Sequence, residues 1–222
     1  MRSIAEGPVW TIVVAAGTAS RFGAPKQYLD LDGVRVVDRS IATAARHSDG
    51  VVVVVPAEPV AGVAPIEGPE GVELRVVEGD VSRSGSVRRG LAAVPDEVAV
   101  VLVHDAARPL ASDALYERVV AAVRSGADAV APVVPITDTV RRRGGGVVDR
   151  AELAAVQTPQ GFGAAALRAA HVAGAEATDD VTLVESEGGR VELVDGDRRN
   201  IKLTTPLDLE VAVLLLSRDE SP

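Results

Sequence analysis

A chain of 222 residues with 47% hydrophobic and 25% charged residues is long enough for one large domain or two small ones and can bury a substantial core, and one α/β domain with an appendage is the first expectation. A net charge of -9 opposes a polyanionic partner, and 2% aromatics leave little for base stacking, which together argue against nucleic-acid binding. The absence of cysteine excludes disulfides, thiolate metal sites and cysteine nucleophiles, and with neither a bilayer-length apolar run nor a secretory leader in view the expectation is a cytoplasmic protein without membrane partners.

The first apolar run, Ile12 to Ala15, is rich in β-branched residues and predicts a buried strand. It empties into a loop of small residues, Ala15-Ala16-Gly17-Thr18-Ala19-Ser20, that ends with two cations, Arg21 and Lys26. Small residues let backbone amides approach a phosphate closely, and an arginine fork with a lysine point charge can neutralise it. The loop is no dinucleotide fingerprint, because Gly17 to Phe22 has glycine only at the first required position, and this disfavours a dehydrogenase. Nor is it a Walker loop, since Gln27 follows Lys26 where Ser or Thr is needed.

Helical spacing of Val37, Ile41 and Ala44 predicts a helix over Val36 to Arg46. Val51 to Val55 is a run of five valines closed by Pro56; without polar alternation it must be covered on both faces, which points to a parallel sheet between helices. Ala57 to Gly71, rich in Pro, Gly and Glu, reads as a surface excursion, and Val72 to Val77 as a further strand. Glu78 to Leu91 begins as a hydroxyl-rich loop and continues as a helix through Val94. Its serines either cap that helix, or Ser86 and neighbouring amides face a bound base or phosphate.

Val98 to Val103 is another valine-rich strand, running into His104-Asp105-Ala106-Ala107-Arg108-Pro109. Ligands of open α/β sheets lie outside the carboxyl ends of strands. Asp105 there either supplies the single carboxylate that magnesium on a nucleotide needs, or forms an ion pair with Arg108, or caps a turn. A helix follows over Ala111 to Arg124, then a strand, Asp128 to Val134, that Pro132 and Pro135 mark as bent or near an edge. Thr137 to Gln157 reads as a hairpin turning at Gly144 to Gly146; it has too little apolar surface to stand alone and is expected to pack on a second subunit. Helices over Gly163 to Ala173 and from Thr178-Asp179-Asp180 to Glu187, a strand over Val191 to Val194 and a Pro-started helix over Pro206 to Ser217 complete the alternation.

Eight motifs in order between residues 11 and 210 closely resemble the 2-C-methyl-D-erythritol 4-phosphate cytidylyltransferases. They are Ala15-Ala16-Gly17 through Arg21, Pro25-Lys26-Gln27-Tyr28, Arg83 to Leu91, His104 to Pro109, Asp138-Thr139, Thr158-Pro159-Gln160, Thr178-Asp179-Asp180 and Asn200-Ile201-Lys202. The resemblance implies one Rossmann-like, glycosyltransferase-A-like nucleotidyltransferase domain over 1-222, with a mainly parallel sheet and a protruding β-hairpin arm at about 137-157 that builds a homodimer. It implies a magnesium-dependent transfer of CMP from CTP to a polyol phosphate, methylerythritol phosphate, in non-mevalonate isoprenoid synthesis. Carried over by motif, Arg21 and Lys26 would stabilise the reacting α-phosphate, and Asp105 would hold Mg2+ and face the substrate. Ala15, Ala16, Gly17, Gly79, Asp80 and Ser86 would bind the nucleotide. Arg108, Thr139, Arg150 and Lys202 would hold the second substrate, Arg150 serving the neighbouring subunit.

The chain departs from the family pattern at Ala19, which replaces a glycine, in a shortened Arg21 to Lys26 segment, in an extra residue before Arg83, and at Val181-Thr182 in place of Ala-Ser. Ribitol-5-phosphate cytidylyltransferase shares nearly every motif and is the nearest alternative. A non-catalytic nucleotide-binding protein is a third reading, which the pairing of Arg21 with Lys26 opposes because binding alone does not require cations converging on the α-phosphate.

Overall fold

Valine-rich runs alternating with amphipathic segments give an α/β fold in the computed structural model, which describes residues 7–17, 25–58, 63–172 and 174–218. Strand β1 (Val9–Val14) is followed by a single helical turn at Lys26–Tyr28, the short pair β2 (Asp30–Leu31) and β3 (Val34–Arg35), and helix α1 (Val36–Arg46). Next come β4 (Gly50–Val55), β5 (Glu73–Glu78), α2 (Arg83–Ala92), β6 (Val100–Asp105), α3 (Asp113–Arg124) and β7 (Ala129–Pro135). β8 (Val140–Arg141) and β9 (Val147–Val148) form a small hairpin, and a helical turn at Arg150–Glu152 joins it to β10 (Ala154–Val156). β11 (Gln160–Gly163), α4 (Ala164–Ala170), α5 (Asp180–Ser186), β12 (Val191–Asp195) and α6 (Pro206–Ser217) follow.

β1 lies between β4 and β6 and is parallel to both, with β5 parallel on the far side of β4. β11 runs antiparallel between β6 and β7, and β12 pairs parallel with the other side of β7, so the sheet is mainly parallel. The five-valine run explains itself in this setting. Val51 and Val53 enter the core under α1 and α3, while Val52 and Val54 enter the core under α2, α4 and α5. Alternate side chains of a strand point to opposite faces, so a strand covered twice has no place for a polar residue.

The prolines of β7 mislead about its place. The strand is interior, with β12 on one side and β10 and β11 sharing the other. A strand residue aims its N–H and C=O to the same side, and the Pro132 carbonyl accepts from Gln157 N at 2.8 Å. The missing N–H of Pro132 therefore faces the passage from β10 to β11, just past the last β10 pairing at Val156, where the ladder is ending. The segment 137–157 is also more than a hairpin. Its turn is built as expected, with Gly145 and Gly146 at φ 113° and 80°, but its return leg re-enters the main sheet as β10.

A smaller third cluster, Leu31, Val36, Leu203 and Ala212, docks α6. Thr205 and Asp208 form a capping box there, and the Asp208 carboxylate also accepts from Thr204 N at 2.7 Å, which fixes the segment just before the helix. Among the described residues no helix is long and apolar enough to cross a membrane. Leu115 of α3 is fully buried against the sheet. Leu115→Ala is expected to lower stability by about 2–5 kcal/mol, seen as a lower urea midpoint with an unchanged slope.

Candidate active site

The carboxyl ends of β1, β5 and β6 open into one cavity of about 390 Å³. Val14 to Gly17 line it from β1, Asp80 to Arg83 and Ser86 from the start of α2, and Asp105 to Ala107 from β6, while Lys26, Gln27, Lys202 and Thr204 complete it. The chain leaves β1 in extended register, with Ala15 N donating to Val54 O at 2.8 Å and Ala106 N donating to Val14 O at 3.1 Å. The buried Gln27 amide donates to the carbonyls of Ala15 and Gly17 at 2.9 and 3.3 Å. It thus ties the turn that carries Lys26 to the wall that carries the small residues. Gln27 belongs to the Pro25 to Tyr28 motif, and nothing in the sequence pattern marks this anchoring role.

Gly79 is required by close approach. A Cβ at this position would lie 2.4 Å from Ala16 Cβ and 3.0 Å from Ser86 Oγ. The two readings of the serines divide between two residues. Ser82 is the cap of α2, its Oγ accepting from Gly85 N at 2.9 Å, and the buried Ser86 lines the cavity beside it without capping the helix. The Ser86 hydroxyl accepts from Asp80 N at 3.0 Å and donates to Ser82 O at 2.9 Å, so it holds the Gly79-Asp80 loop in shape. Gly79 itself stands behind the lining, and Asp80 is part of it.

Asp105 ends β6 with its carboxylate in the cavity. It forms no ion pair with Arg108. Lys202 Nζ donates to Oδ2 at 2.6 Å, and Arg83 Nη2 lies 3.6 Å from Oδ1. Burial by itself would raise the Asp105 carboxyl; the Arg83 and Lys202 charges outweigh it and hold the group well below the usual carboxylate range. The backbone of Asp105 is fixed from behind, because its N–H donates to Thr158 Oγ1 at 3.0 Å. That hydroxyl in turn contacts His104 Nδ1 at 3.1 Å, and His104 Nε2 lies 3.2 Å from Arg108 O. Burial lowers His104 to about 4, so the ring is neutral near pH 7. Thr158 then donates to Nδ1, and Nε2–H donates to the Arg108 carbonyl.

A lone carboxylate suits a hard cation that arrives with its own phosphates. Among the described residues no group of three or more His, Cys, Asp or Glu side chains could form a cage. Magnesium is commonly held by one or two carboxylates together with substrate phosphates, and Asp105 fits that pattern.

The remaining expected residues are spread out. Lys26 and Lys202 line the cavity, but Arg108, Thr139 and Arg150 do not. The Arg108 guanidinium is spent on the backbone carbonyls of Asn200, at 2.8 Å, and Val156, at 3.3 Å, which joins the β6 turn to the Asn200-Ile201-Lys202 segment and to β10. Thr139 is exposed on the arm, and Arg150 donates to the Thr137 carbonyl. Arg21 and Ala19 lie outside the described residues. Arg83, Gln27 and Thr204 join the site without having been given roles, and only Arg83 carried a visible signal, as a cation directly after the Ser82 cap.

The family model for IspD, 2-C-methyl-D-erythritol 4-phosphate cytidylyltransferase, matches residues 9–218. The chain is 46% identical to the 2-C-methyl-D-erythritol 4-phosphate cytidylyltransferase of Nocardia farcinica, with 96% of each chain covered. It is 44% identical to a bifunctional enzyme IspD/IspF of Clavibacter michiganensis, of which it spans 56%. The solved structure of the cytidylyltransferase from Thermus thermophilus superposes with a TM-score of 0.79 at 36% identity, covering 96% of this chain and all of that one.

The wall at Gly79 yields a paired test. Gly79→Ala is expected to lower stability by about 1–3 kcal/mol through overpacking against Ala16. Gly17→Ala, whose Cβ would meet nothing within 4 Å among the described residues, is expected to change it by less than about 0.5 kcal/mol, both read from denaturant unfolding.

Proposed function

The chain belongs to the 2-C-methyl-D-erythritol 4-phosphate cytidylyltransferase family, and from that premise we infer that it transfers CMP from CTP to 2-C-methyl-D-erythritol 4-phosphate. The products are 4-diphosphocytidyl-2-C-methyl-D-erythritol and pyrophosphate, in the non-mevalonate route to isoprenoids. The observation that carries this reading is one cavity in which Lys26, Lys202 and Arg83 stand with Asp105 beside a wall of closely packed small residues.

In the reaction a phosphate oxygen of methylerythritol phosphate attacks the α-phosphorus of CTP. The bond from that phosphorus to the oxygen bridging it to the β-phosphate breaks, and pyrophosphate leaves with the electron pair. Catalysis here is positioning and charge neutralisation, with no covalent enzyme intermediate. Lys26, held by the Gln27 anchor, supplies a cation at the cavity for charge that grows on the α-phosphate oxygens, a task it would share with Arg21. The Gly79-Asp80 loop, braced by Ser86, and the backbone wall of Ala15 to Gly17 form the seat for cytosine and ribose. Magnesium on Asp105 would neutralise triphosphate charge and orient it for in-line attack.

Lys202, beside Asp105, is the cation within the lining for the phosphate of the second substrate. Thr139 and Arg150 sit on the arm, away from the cavity of their own chain, which favours a homodimer whose arms complete each other's sites. The two-residue strands of the hairpin support this, since so small a ribbon gains stability only by packing on something else. A cytoplasmic setting accords with use of a nucleoside triphosphate.

With CTP and magnesium, pyrophosphate release is expected to be at least about tenfold faster with methylerythritol phosphate than with ribitol 5-phosphate, and to stop when the metal is chelated. The reverse preference would move the chain to ribitol-phosphate chemistry, and turnover with neither would leave a nucleotide-binding protein. A second experiment separates the roles. Lys26→Ala is expected to lower kcat about 100-fold or more with a small change in the KM for CTP, whereas Thr139→Ala mainly raises the KM for methylerythritol phosphate. Equal loss of CTP affinity in both variants would contradict this division.

A further inference from the structure

A line of charged and polar groups runs from the interior into the cavity, and two of its members have no part in the chemistry described above. His171, at the end of α4, has Nε2 3.0 Å from Asp180 Oδ1, and Asp180 Oδ2 accepts from Arg83 Nη1 at 2.8 Å. Arg83 Nη2 then lies 3.6 Å from Asp105, whose other oxygen is held by Lys202. Asp180 is fully buried and His171 nearly so, and neither lines the cavity. A carboxylate taken wholly out of water is expensive to keep, and its pairing repays that only with good geometry. Here the geometry serves the arginine. A guanidinium is a rigid fork, and one of its prongs is pinned to Asp180 at 2.8 Å while the other stands off Asp105 at 3.6 Å.

We propose that Asp180, steadied by His171, is a positioning residue for nucleotidyl transfer: it anchors Arg83 by one prong so that the other faces the bound triphosphate and does not collapse onto Asp105. This rests on the cytidylyltransferase reading of the cavity. Arg83 and Asp180 open α2 and α5, two helices on the same face of the sheet, so the link also ties the two helix starts together. Once the Asp180 charge is gone, Arg83 loses its hydrogen-bonded partner, and the side chain moves between the cavity and the nearby carboxylates of Asp105 and Asp179. The charge balance gives this proposal a signature that a folding defect lacks. Removing a negative charge close to the cavity does not weaken attraction for a triphosphate, whereas a misplaced arginine slows the chemical step.

Asp180→Asn is therefore expected to lower kcat by about 10- to 100-fold while the Kd for CTP, from calorimetry, stays the same or tightens. Arg83→Met is expected to lower kcat and to weaken CTP binding. The double variant should have a kcat within about threefold of Arg83→Met alone, because Asp180 acts through the arginine. Nitrogen-15 relaxation of the Arg83 Nε–H should report an ordered side chain in the wild type and a mobile one in Asp180→Asn. His171→Leu, which leaves the buried ion pair in place, should shift kcat and relaxation in the same directions by less, and it carries the test if Asp180→Asn does not fold. Additive losses of kcat, or an Arg83 equally ordered in the folded variants, would overturn the proposal even in an active enzyme. A wild type that turns over neither polyol phosphate would instead overturn the assigned reaction, and the relaxation data would still decide whether Asp180 holds the arginine.

Discussion

The Asp105 carboxylate, held between Lys202 and Arg83 at the end of a central strand, is the constraint on which the site depends. A carboxylate with only 13% of its side chain exposed needs opposite charge close by, and the two cations that supply it come from distant parts of the chain. Satisfying Asp105 therefore brings the start of α2 and the segment before α6 to the same cavity. The Thr158 hydroxyl holds the Asp105 amide from behind, so the carboxylate is fixed from its backbone outward as well as from its partners inward. Neutral His104 completes that support without adding a competing charge to a place already crowded with cations.

The sheet provides the rigidity that this arrangement requires. β1 and β6 are neighbours in register, and Val14 pairs with Asp105, so the small residues after β1 and the carboxylate at the end of β6 emerge side by side. β4 flanks β1 on its other side and delivers Val55, whose carbonyl accepts from Gly79 N at 2.7 Å, to the same edge. Backbone from three strands thus converges within a few residues. Glycine at 79 and alanine at 16 are the chain's way of letting those backbones meet without displacing the wall. Site residues carried on strand ends and helix starts are placed by the core, and the loop segments that carry Asp80 and Lys202 are tied to them through Ser86 and Asp105.

Much of this was written locally in the sequence. Val51 to Val55 announces a doubly covered strand, and the strand over Val98 to Val103 running into His104-Asp105 announces a carboxylate at a carboxyl end. Such signals are legible because period and composition act over a few residues. Other features are long-range and leave no local trace. Arg83 and Asp180 are 97 residues apart, and nothing in the periodicity of either helix says that they meet. β10 was hidden for another reason. Its residues, Ala154 to Val156, are all exposed, so they show no alternation, and the strand exists only because β7 offers it an edge. The prolines of β7 suggested an edge strand because the rule counts missing donors without knowing which side they face. Pro132 turns its missing donor toward a gap between two partners.

The overall charge raises a last physical question, since a protein of net charge -9 must take in two anionic substrates. Screening answers part of it. At physiological ionic strength charges on distant surfaces are damped beyond about 8 Å, so a substrate at the cavity mouth responds to Lys26, Arg83 and Lys202 more than to the carboxylates elsewhere. Desolvation answers the rest, because low-dielectric walls strengthen the field of the few cations that line the cavity. The same reasoning explains why Arg83 and Lys202 arrive already paired. An unpartnered arginine in a half-buried cavity would be costly before the nucleotide comes, and sharing one guanidinium between Asp180 and Asp105 keeps it satisfied yet still able to face an incoming phosphate.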